Sequence, residues 1–420
     1  MNKKVLILQD SLCAQPDANS KLVFRLCEQL VHLGYDVSVM GVARNKEDHV
    51  SDYHGIHLIH EPADRVNAVQ RLTDRLGKFK WLRYAVCPRT IGYRLNIHTY
   101  SSYYMEARWW LKRNISSYDV LIACCSPYYP LSLAAEVADR IPVIYYKIDP
   151  VGTHDQNISN WDERLATIAN EIKWDDVTMR IITTDVIYHV FNQLPTRVNA
   201  HKVVLASYPN VRRLPVISNQ QSVNSKQCNL YFIGKLYADI RNPQYLFDLI
   251  EKLKGTGIML HIVGPISYKG FDKAFIEKYF KNNVPNICYH GAVSPAEADT
   301  LLTQADVLVH IGNTIDSQMP SKILDYISSG KPILNICKIR TCPTIPLMER
   351  YPLGLTIFED EGFGIRDERL EEVKDFCITN KGKQIPYEEI EKIYPECTIE
   401  YVGKQFDEAI QDAIREFKQK

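Results

Sequence analysis

Two cations that follow a glycine are the first residues in this chain that could do chemistry. An apolar run leads into Gly234 and Lys235, and Arg241 follows six residues after the lysine. Glycine lets a backbone approach a phosphate closely, and two neighbouring cations could neutralise a diphosphate. The same pattern is also typical of a strand end with solvated charges, so further motifs are needed to decide between the two.

A second polar group lies in the segment ADVLVHIGNTIDSQMPSKILDYISSGKPIL, residues 305–334. Its apolar start predicts a buried strand that ends at His310, followed by a loop. Proline is favoured at the first position of a helix and glycine after its end, so the pattern predicts a helix that begins at Pro320 and stops before Gly330. The segment therefore has the form of strand, loop, helix and strand.

Three polar residues of that predicted helix share the face opposite its apolar core. They are Ser321, Lys322 and Asp325, at spacings that bring side chains together on a helix. With Pro320 as the first helical residue, Met319 occupies the cap, where its side chain cannot accept the first amide hydrogens. Those amides would be available for an anionic ligand.

Length and composition set limits on the class of protein. A chain of 420 residues exceeds what one hydrophobic core usually serves, which favours two domains. Lys plus Arg and Asp plus Glu both number 50, so the charge does not indicate nucleic-acid binding. The 11 scattered cysteines include no Cys-x-x-Cys pair, which favours reduced thiols in a cytoplasm over disulfides or a metal centre. No apolar run is long enough to predict a signal peptide or a membrane span.

Strand-like runs alternate with helical patterns in both halves of the chain, which predicts parallel, doubly wound sheets. A polar stretch near 212–227 separates the two series and indicates a linker. We therefore expect an α/β fold with two Rossmann-like domains facing a cleft, and ligands beyond the carboxyl ends of the strands. The predicted division is an N-terminal Rossmann-like domain at 1–210, a linker at 211–228, a C-terminal Rossmann-like domain at 229–400 and a C-terminal helix at 401–420 that packs back on the first domain.

Four further motifs follow Phe-Ile-Gly-Lys-Leu (232–236) in order. They are Ile-Val-Gly (262–264), His-Gly-x-Val-Ser (290–294), Ala-Asp-Val-Leu-Val (305–309) and Pro-Ser-Lys-x-Leu-Asp-Tyr-x-x-x-Gly-Lys-Pro (320–332). Residues 229–334 thereby resemble the nucleotide-sugar-binding domain of retaining glycosyltransferases with the GT-B fold, in particular family 4, the group 1 glycosyl transferases. The resemblance spans about a quarter of the chain, and the order of the motifs makes it specific where each alone is not.

The resemblance implies a role for each matched residue. Lys235 and Arg241 would hold the donor diphosphate and stabilise the leaving group. Asp325 would bond the ribose hydroxyls where the family usually has glutamate, or else pair with Lys322 or Arg340 on a solvated face. The backbone from Gly291 to Val293 would read the base, and Ser321 and Lys322 would face the phosphates. The implied donor-binding residues are Gly234, Lys235, Gly264, Gly291, Ala292, Val293, Ser321, Lys322 and Asp325.

The chain departs from the family pattern at two positions. Ser317 stands where the family often has a glutamate near the transferred sugar, and Asp316 beside it is either a substitute or a plain loop residue. Asp149 follows the strand after which many members carry a histidine, with His154 as a second candidate or an exposed loop residue. No Asp-x-Asp occurs, which fits a metal-independent enzyme that needs no cofactor besides its nucleoside-diphosphate sugar substrate.

Residues 71–113 combine ten basic residues and eight Trp or Tyr residues with only two acids. Basic residues with interfacial aromatics suit an anionic membrane or a lipid-diphosphate acceptor. A pair of helices with core aromatics and solvated charges explains them equally well. The basic residues are Arg71, Arg75, Lys78, Lys80, Arg83, Arg89, Arg94, Arg108, Lys112 and Arg113.

The sequence thus predicts a cytoplasmic retaining glycosyltransferase, in contact with the inner face of a membrane if 71–113 binds lipid. It would move a sugar from a nucleoside-diphosphate donor to a glycan or lipid-linked acceptor, as in surface polysaccharide assembly. One alternative is a nucleotide-sugar epimerase of the same fold, against which the motif at 320–332 speaks. Another is an inactive transferase-like binding subunit, which the changes at Ser317 and Asp149 keep open.

Overall fold

The structure, a computed structural model, describes residues 2–12, 18–43, 51–61, 101–125, 129–149, 171–192, 200–214, 227–281, 284–359 and 365–420. His154, residues 71–100 and most of the predicted linker lie outside these ranges. The chain divides into two compact units. The first unit is Met1–Pro209 together with Ile399–Lys420, and the second unit is Asn210–Thr398.

The first unit is built on an eight-stranded sheet with the order β3-β4-β2-β1-β5-β6-β7-β8. All neighbours pair in parallel except β3, which pairs antiparallel with β4. The central strands are buried on both faces, as their continuous apolar runs predict. The strands are β1 (Lys4–Leu12), β2 (Asp36–Ala43), β3 (Asp52–Tyr53), β4 (Ile56–Glu61), β5 (Val120–Cys125), β6 (Val143–Lys147), β7 (Arg180–Thr183) and β8 (Val203–Leu205).

Helices connect these strands and cover the sheet. Leu111 and Leu131 of two of the helices join the core beneath β1 and β5. The helices are Ala18–His32, Ser101–Asn114, Tyr129–Ala135, residues 171–177, Asp185–Asn192 and Ile399–Phe417, with short 3-10 turns at Ile115–Ser117 and Ala200–Lys202.

The helix Ile399–Phe417 packs on the first unit although 189 residues of the second unit precede it, from 210 to 398. Its apolar residues recur at helical spacing, and Phe406 lies edge-on to Tyr146 of β6 with ring centroids 4.9 Å apart. Glu416 accepts a 2.8 Å hydrogen bond from Nη1 of Arg180. One face of the helix is thus part of the core of the first unit.

The second unit contains a six-stranded, fully parallel sheet with the order β11-β10-β9-β12-β13-β14. Numbered from β9, this is the 3-2-1-4-5-6 order of a doubly wound fold. The strand order runs outward in one direction from β9 to β11 and in the other direction from β12 to β14, so it reverses between β9 and β12. The predicted pair of Rossmann-like sheets is therefore confirmed. The strands are β9 (Cys228–Ile233), β10 (Ile258–Val263), β11 (Ile287–Gly291), β12 (Val307–Ile311), β13 (Ile333–Cys337) and β14 (Gly354–Phe358).

Seven helices of the second unit lie within the described residues. Ser294 caps one of them, because its hydroxyl oxygen accepts a 3.2 Å hydrogen bond from the amide of Glu297. The helices are Gln244–Lys252, Lys273–Ile276 with a π-helical turn at Glu277–Lys281, Pro295–Gln304, Lys322–Ser328, Ile345–Glu349, Asp367–Asn380 and Tyr387–Ile393, and a 3-10 turn follows at Pro395–Cys397.

The predicted start of the helix after β12 is wrong by two residues. The helix begins at Lys322, and Ser321 rather than Met319 precedes its first residue. Pro320 takes part in a tighter turn, in which its carbonyl accepts a 3.2 Å bond from the amide of Ile323. The side chain of Ser321 makes no capping bond. The first amides of the helix therefore have no side-chain acceptor, as predicted, but the residue at the cap is Ser321 and not Met319.

Among the described residues, no helix combines the length and the apolar character needed to cross a bilayer.

Candidate functional site

The loops after β9 and β12 meet where the second sheet reverses its strand order. Gly234 and Lys235 follow β9, and Gly312 and Asn313 follow β12. In open α/β sheets a ligand binds in the crevice beyond the carboxyl ends of the strands at this reversal. The topology therefore puts the cations predicted to bind a diphosphate at the expected place for a ligand.

The guanidinium of Arg241 lies beside the glycine turn. Nη2 donates a 2.9 Å hydrogen bond to Oδ1 of Asn313, and Nη1 is 3.9 Å from the position that a Cβ on Gly234 would take. Nε is shielded from solvent and has no hydrogen-bond partner within the described residues. Burial lowers the pKa of the guanidinium below its ordinary value, which shows that the charge is held at a cost in solvation.

Neither cation of the site is paired with an acid in the part of the chain that the structure describes. No carboxylate oxygen of the described residues lies within 4.0 Å of Arg241 or Lys235. Lys235 is exposed, and its ammonium lies 4.9 Å from the ring centre of Tyr237. Buried charges are normally paired, so the partly buried and unpaired Arg241, together with the exposed Lys235 of the same turn, leaves room for an anionic ligand.

His310 lies beneath this group at the end of β12. Its Nδ1 is 2.8 Å from Oδ1 of Asn335, while its buried Nε2 has no partner among the described residues. Burial and the nearby charge of Arg241 lower the pKa of the imidazole to about 3. His310 is therefore neutral, so it adds no further positive charge to the site.

Asn313 organises the loop that leads to the next helix. It accepts the bond from Arg241 and donates a 3.1 Å bond from Nδ2 to the carbonyl of Gln318. Thr314 extends the connection, since its amide donates to the carbonyl of Ile240 at 3.0 Å. The loop after β12 is thus attached to the turn that carries Arg241.

The two acid candidates of this region differ in burial. Asp325 is 8% exposed, and its Oδ2 lies 3.2 Å from the ammonium of Lys322. Of the alternatives considered for Asp325, the structure has the pair with Lys322, but in a buried rather than a solvated position. Arg340 instead stacks on the ring of Phe358. Asp316 is exposed, whereas its neighbour Ser317 is 1% exposed.

Tyr326 joins the helix of Asp325 to the end of β9. Its hydroxyl accepts a 2.7 Å bond from the amide of Ile233 and donates a 3.1 Å bond to the carbonyl of the same residue. Both residues are buried. The helix that bears Ser321, Lys322 and Asp325 is therefore fixed next to the glycine turn.

Close backbone contact explains the glycine at position 264. Gly264 has φ +131°, and a Cβ there would lie 2.1 Å from the carbonyl oxygen of Gly234. Its amide donates a 2.7 Å bond to the carbonyl of Gly291. The turns after β9, β10 and β11 are thereby joined, and Ala292 and Val293 continue from the last of them. Gly264 therefore shapes the site through contacts between backbones.

The first unit places Asp149 after β6, next to the strand reversal between β1 and β5. Its Oδ2 accepts a 2.6 Å bond from Nδ2 of Asn19, near the start of the helix that follows β1. Lys147, the last residue of β6, is fully buried with Nζ 2.8 Å from Oε1 of Glu171 and 2.7 Å from Oδ1 of Asp175. Asp149 is thus positioned at the carboxyl edge of the sheet.

Sequence reasoning missed two side chains of this site. His310 and Asn313 each bond to a neighbour that the motifs do not include. The available signal was one polar residue inside the apolar run VLVHI and one polar residue two positions after its end. Such residues are typical of strand ends in general, so their partners emerge only in three dimensions.

No known family profile matches the chain, and no curated protein matches it in sequence. Solved structures do match its fold over nearly the whole length. HepE of Anabaena in complex with UDP has a TM-score of 0.63 at 11% identity, over 97% of this chain and 99% of that one. Sucrose-phosphate synthase from Thermosynechococcus elongatus has a TM-score of 0.63 at 10% identity, over all of both chains.

These structures are GT-B glycosyltransferases, so the chain has the GT-B fold. The lipopolysaccharide outer core galactosyltransferase WaaB is a further match, with a TM-score of 0.60 at 12% identity over 97% of this chain and 99% of that one. Identities at this level establish the fold, and the activity has to be argued from the residues themselves.

Proposed function

We propose that this chain is a retaining glycosyltransferase that moves a sugar from a nucleoside-diphosphate donor to a glycan or lipid-linked acceptor. The main observation in support is the partly buried guanidinium of Arg241, which has no carboxylate within 4.0 Å among the described residues. It lies at the strand reversal of a doubly wound sheet, beside a glycine turn and a second unpaired cation. A diphosphate supplies the missing negative charge.

The proposed chemistry assigns a task to each group. Arg241 and Lys235 would stabilise the charge that develops on the diphosphate as the glycosyl bond breaks. Asn313 holds the guanidinium and, through its second bond, the loop expected to contact the sugar. Asp325 would accept hydrogen bonds from the ribose, with Lys322 turned toward the phosphates. HepE in complex with UDP-glucose is a GT-B structure with this type of donor.

The same proposal assigns the sides of the molecule. The donor site belongs to residues 229–400, the acceptor side to residues 1–210 with Asp149 as its candidate polar group, and residues 401–420 to a helix packed on the acceptor domain. The enzyme would act in the cytoplasm and assemble surface polysaccharide. WaaB and WaaG, a glycosyltransferase involved in lipopolysaccharide biosynthesis, are structural neighbours that motivate this last assignment.

Donor screening tests the proposal. The full chain is incubated with UDP-, GDP- and ADP-sugars while thermal stability and nucleotide release are measured. A transferase should be stabilised by one base class and hydrolyse that donor slowly. An epimerase would convert the donor without an acceptor, and an inactive subunit would turn over nothing. Failure of all three donor classes to shift the melting temperature would refute the proposal.

Two substitutions test the site assignment. Lys235→Ala and Asp325→Ala should each weaken donor binding by about a hundredfold, because each removes bonds to or from a charged group. Lys254→Ala and Asp375→Ala are matched controls in the same unit, since both side chains are exposed. Full donor affinity in both site variants would overturn the assignment.

Membrane contact through residues 71–113 is part of the proposal for the helix Ser101–Asn114. Trp109 is 57% exposed, and the guanidinium of Arg113 stacks 3.5 Å above its ring, whereas Trp110 packs against the core. Reversing Lys112 and Arg113 to glutamate should release the protein from anionic vesicles, and Lys404→Glu should not. Equal sedimentation of the unaltered protein, the charge-reversal variant and Lys404→Glu with the vesicles would refute the proposed membrane contact.

A further inference from the structure

Three side chains with metal-binding atoms lie close together on two neighbouring strands at one edge of the second sheet. They are His261 on β10 and Cys288 and His290 on β11. The parallel register pairs His261 directly with Cys288. The ligand atoms of all three lie within 4.8 Å of one another.

An irregularity in β11 brings the third residue into the group. Ile262 pairs with Tyr289 but Val263 pairs with Gly291, so His290 is an extra residue, a β-bulge. Bulges re-aim a side chain. Here Nε2 of His290 lies 2.9 Å from Nδ1 of His261. In a tetrahedral zinc site, two nitrogen ligands stand about 3.3 Å apart, so a cation requires only a small separation of the rings.

The surroundings of His261 fix the orientation of its ring. Its Nε2 is 3.3 Å from Oδ1 of Asn229 on β9, and the ring stacks on Tyr231 with centroids 4.4 Å apart. A proton on Nε2 donates to the amide oxygen and leaves the lone pair of Nδ1 directed at His290. Metal-binding histidines characteristically donate their second nitrogen to such an acceptor.

We propose that His261, Cys288 and His290 bind one borderline-soft divalent cation, with Zn²⁺ as the best fit. Two imidazole nitrogens and a thiolate suit Zn²⁺, Co²⁺ or Ni²⁺, whereas Mg²⁺ and Ca²⁺ prefer oxygen ligands. Cys288 and His261 are partly exposed and His290 is exposed, so solvent can occupy the fourth position. Asn229 is a positioning residue for His261.

The site differs from the metal-free chemistry expected of the donor site, and it does not depend on nucleotide-sugar binding. A bound cation would join the edge strand β11 to β10 directly before Gly291 and thereby hold the bulge in place. The sequence offers Cys288-x-His290 as its only local signal, and His261 lies on another strand. The absence of Cys-x-x-Cys and Asp-x-Asp patterns therefore does not bear on this site.

Cobalt substitution tests the ligand set. The full chain is stripped with a chelator under reducing conditions and titrated with Co²⁺, and Zn²⁺ is then used to displace it. We expect one Co²⁺ per chain, visible bands of tetrahedral cobalt and a thiolate-to-cobalt charge-transfer band. Cys288→Ser should abolish the charge-transfer band, and His290→Ala should abolish stoichiometric binding. Asn229→Ala should weaken binding about 10- to 100-fold.

The control is His57→Ala, because His57 is an exposed histidine on β4 of the other unit. It should bind cobalt like the unaltered chain. Circular dichroism and the melting temperature of the metal-free variants establish that each is folded. The proposal is overturned if the unaltered chain binds no Co²⁺, if the charge-transfer band persists in Cys288→Ser, or if His290→Ala binds with unchanged affinity.

Discussion

At the residue scale, Arg241 combines a positive charge with partial burial and an amide partner in place of an acid. Its replacement should therefore affect a bound anion more than it affects the fold. We predict that Arg241→Ala weakens nucleoside-diphosphate binding by about a hundredfold or more, as measured by calorimetric titration with the donor found by screening. The melting temperature without ligand should change little.

Arg213→Ala is the matched control for this variant. Arg213 is an exposed arginine of the same unit that pairs with Glu388, and exposed ion pairs contribute little to stability. Donor affinity should be unchanged in this variant. Equal affinity in Arg241→Ala and Arg213→Ala would mean that the guanidinium at the sheet reversal does not hold the diphosphate.

The neutral state of His310 makes the second unit sensitive to acid. Its pKa is lowered from 6.5 to about 3 by burial and by Arg241. Between these two pH values the imidazole is protonated in the unfolded chain but not in the folded chain. The contribution to stability is complete above pH 6.5 and is lost progressively as the pH falls from 6.5 toward 3. The slope approaches about 1.4 kcal/mol per pH unit, and His310→Gln should lower that slope by removing the titrating group.

Hydrogen exchange of the amides in β12 and β13 is the appropriate measurement, because all five tryptophans precede residue 175 and report on the first unit. The free energy of opening is compared at pH 7, 6 and 5 in both proteins after correction for intrinsic exchange rates. An identical pH dependence in the two proteins would show that His310 is not the group that titrates.

At the element scale, the turn after β10 depends on a glycine for two separate reasons. Gly264 has a positive φ, and a side chain there would also overlap the carbonyl of Gly234. We predict that Gly264→Ala destabilises the second unit by about 3 kcal/mol or more and also weakens donor binding, because the turn that carries Lys235 must move. Denaturant unfolding followed by circular dichroism, together with donor titration, measures both effects.

A substitution at Gly255 separates the cost of the positive φ from the cost of the steric overlap. It has φ +86° but nothing within 4 Å of an added Cβ, so Gly255→Ala carries only the cost of the backbone conformation, about 1–2 kcal/mol. Donor affinity should be unaffected in this variant. If both alanine variants lose the same stability and both bind donor normally, the contact between Gly264 and Gly234 has no role in shaping the site.

The alternation of apolar strands and amphipathic helices was sufficient to predict the doubly wound sheets, because buried parallel strands require continuous apolar runs. Strand β14 shows where this signal ends. Its sequence, GLTIF, lies among proline-containing segments and is only partly buried at the sheet edge. Position at an edge weakens the apolar pattern, so pairing with β13 rather than local sequence determines this strand.

The sequence predicted those residues of the site that are glycines or carry a charge. Gly234, Lys235 and Arg241 are recognised by type and spacing, whereas Asn313 acts through contacts to a residue 72 positions away and to one five positions away. The helix start was misplaced because a proline preference describes an average helix. Here the carbonyl of Pro320 accepts a hydrogen bond from the amide of Ile323, three residues later, and this bond forms a tight turn before the helix.

At the scale of the whole molecule, the last helix should stabilise the unit that begins the chain. Removing residues 399–420 exposes the surface that Val402, Phe406, Ile410 and Ile414 cover. At about 1.5–3 kcal/mol for each buried apolar side chain, the loss is about 6 kcal/mol or more. We predict that the first unit unfolds at much lower urea concentration in this deletion, as measured by tryptophan fluorescence.

Deletion of residues 418–420 alone is the control, because these residues are exposed. The second unit should retain its hydrogen-exchange protection in both deletions, since it contains none of the removed contacts. An unchanged fluorescence midpoint after removal of 399–420 would show that the helix contributes nothing to the first unit.

The two chain passages between the units lie side by side within the second unit. Val211 and Thr398 form a bridge, and the amide of Val211 donates a 2.9 Å bond to the carbonyl of Cys397. During translation, the whole of the second unit is therefore synthesised before the helix Ile399–Phe417. The first unit cannot complete its core until that helix has been made. The half of the molecule that is translated first is therefore the half that completes its core last.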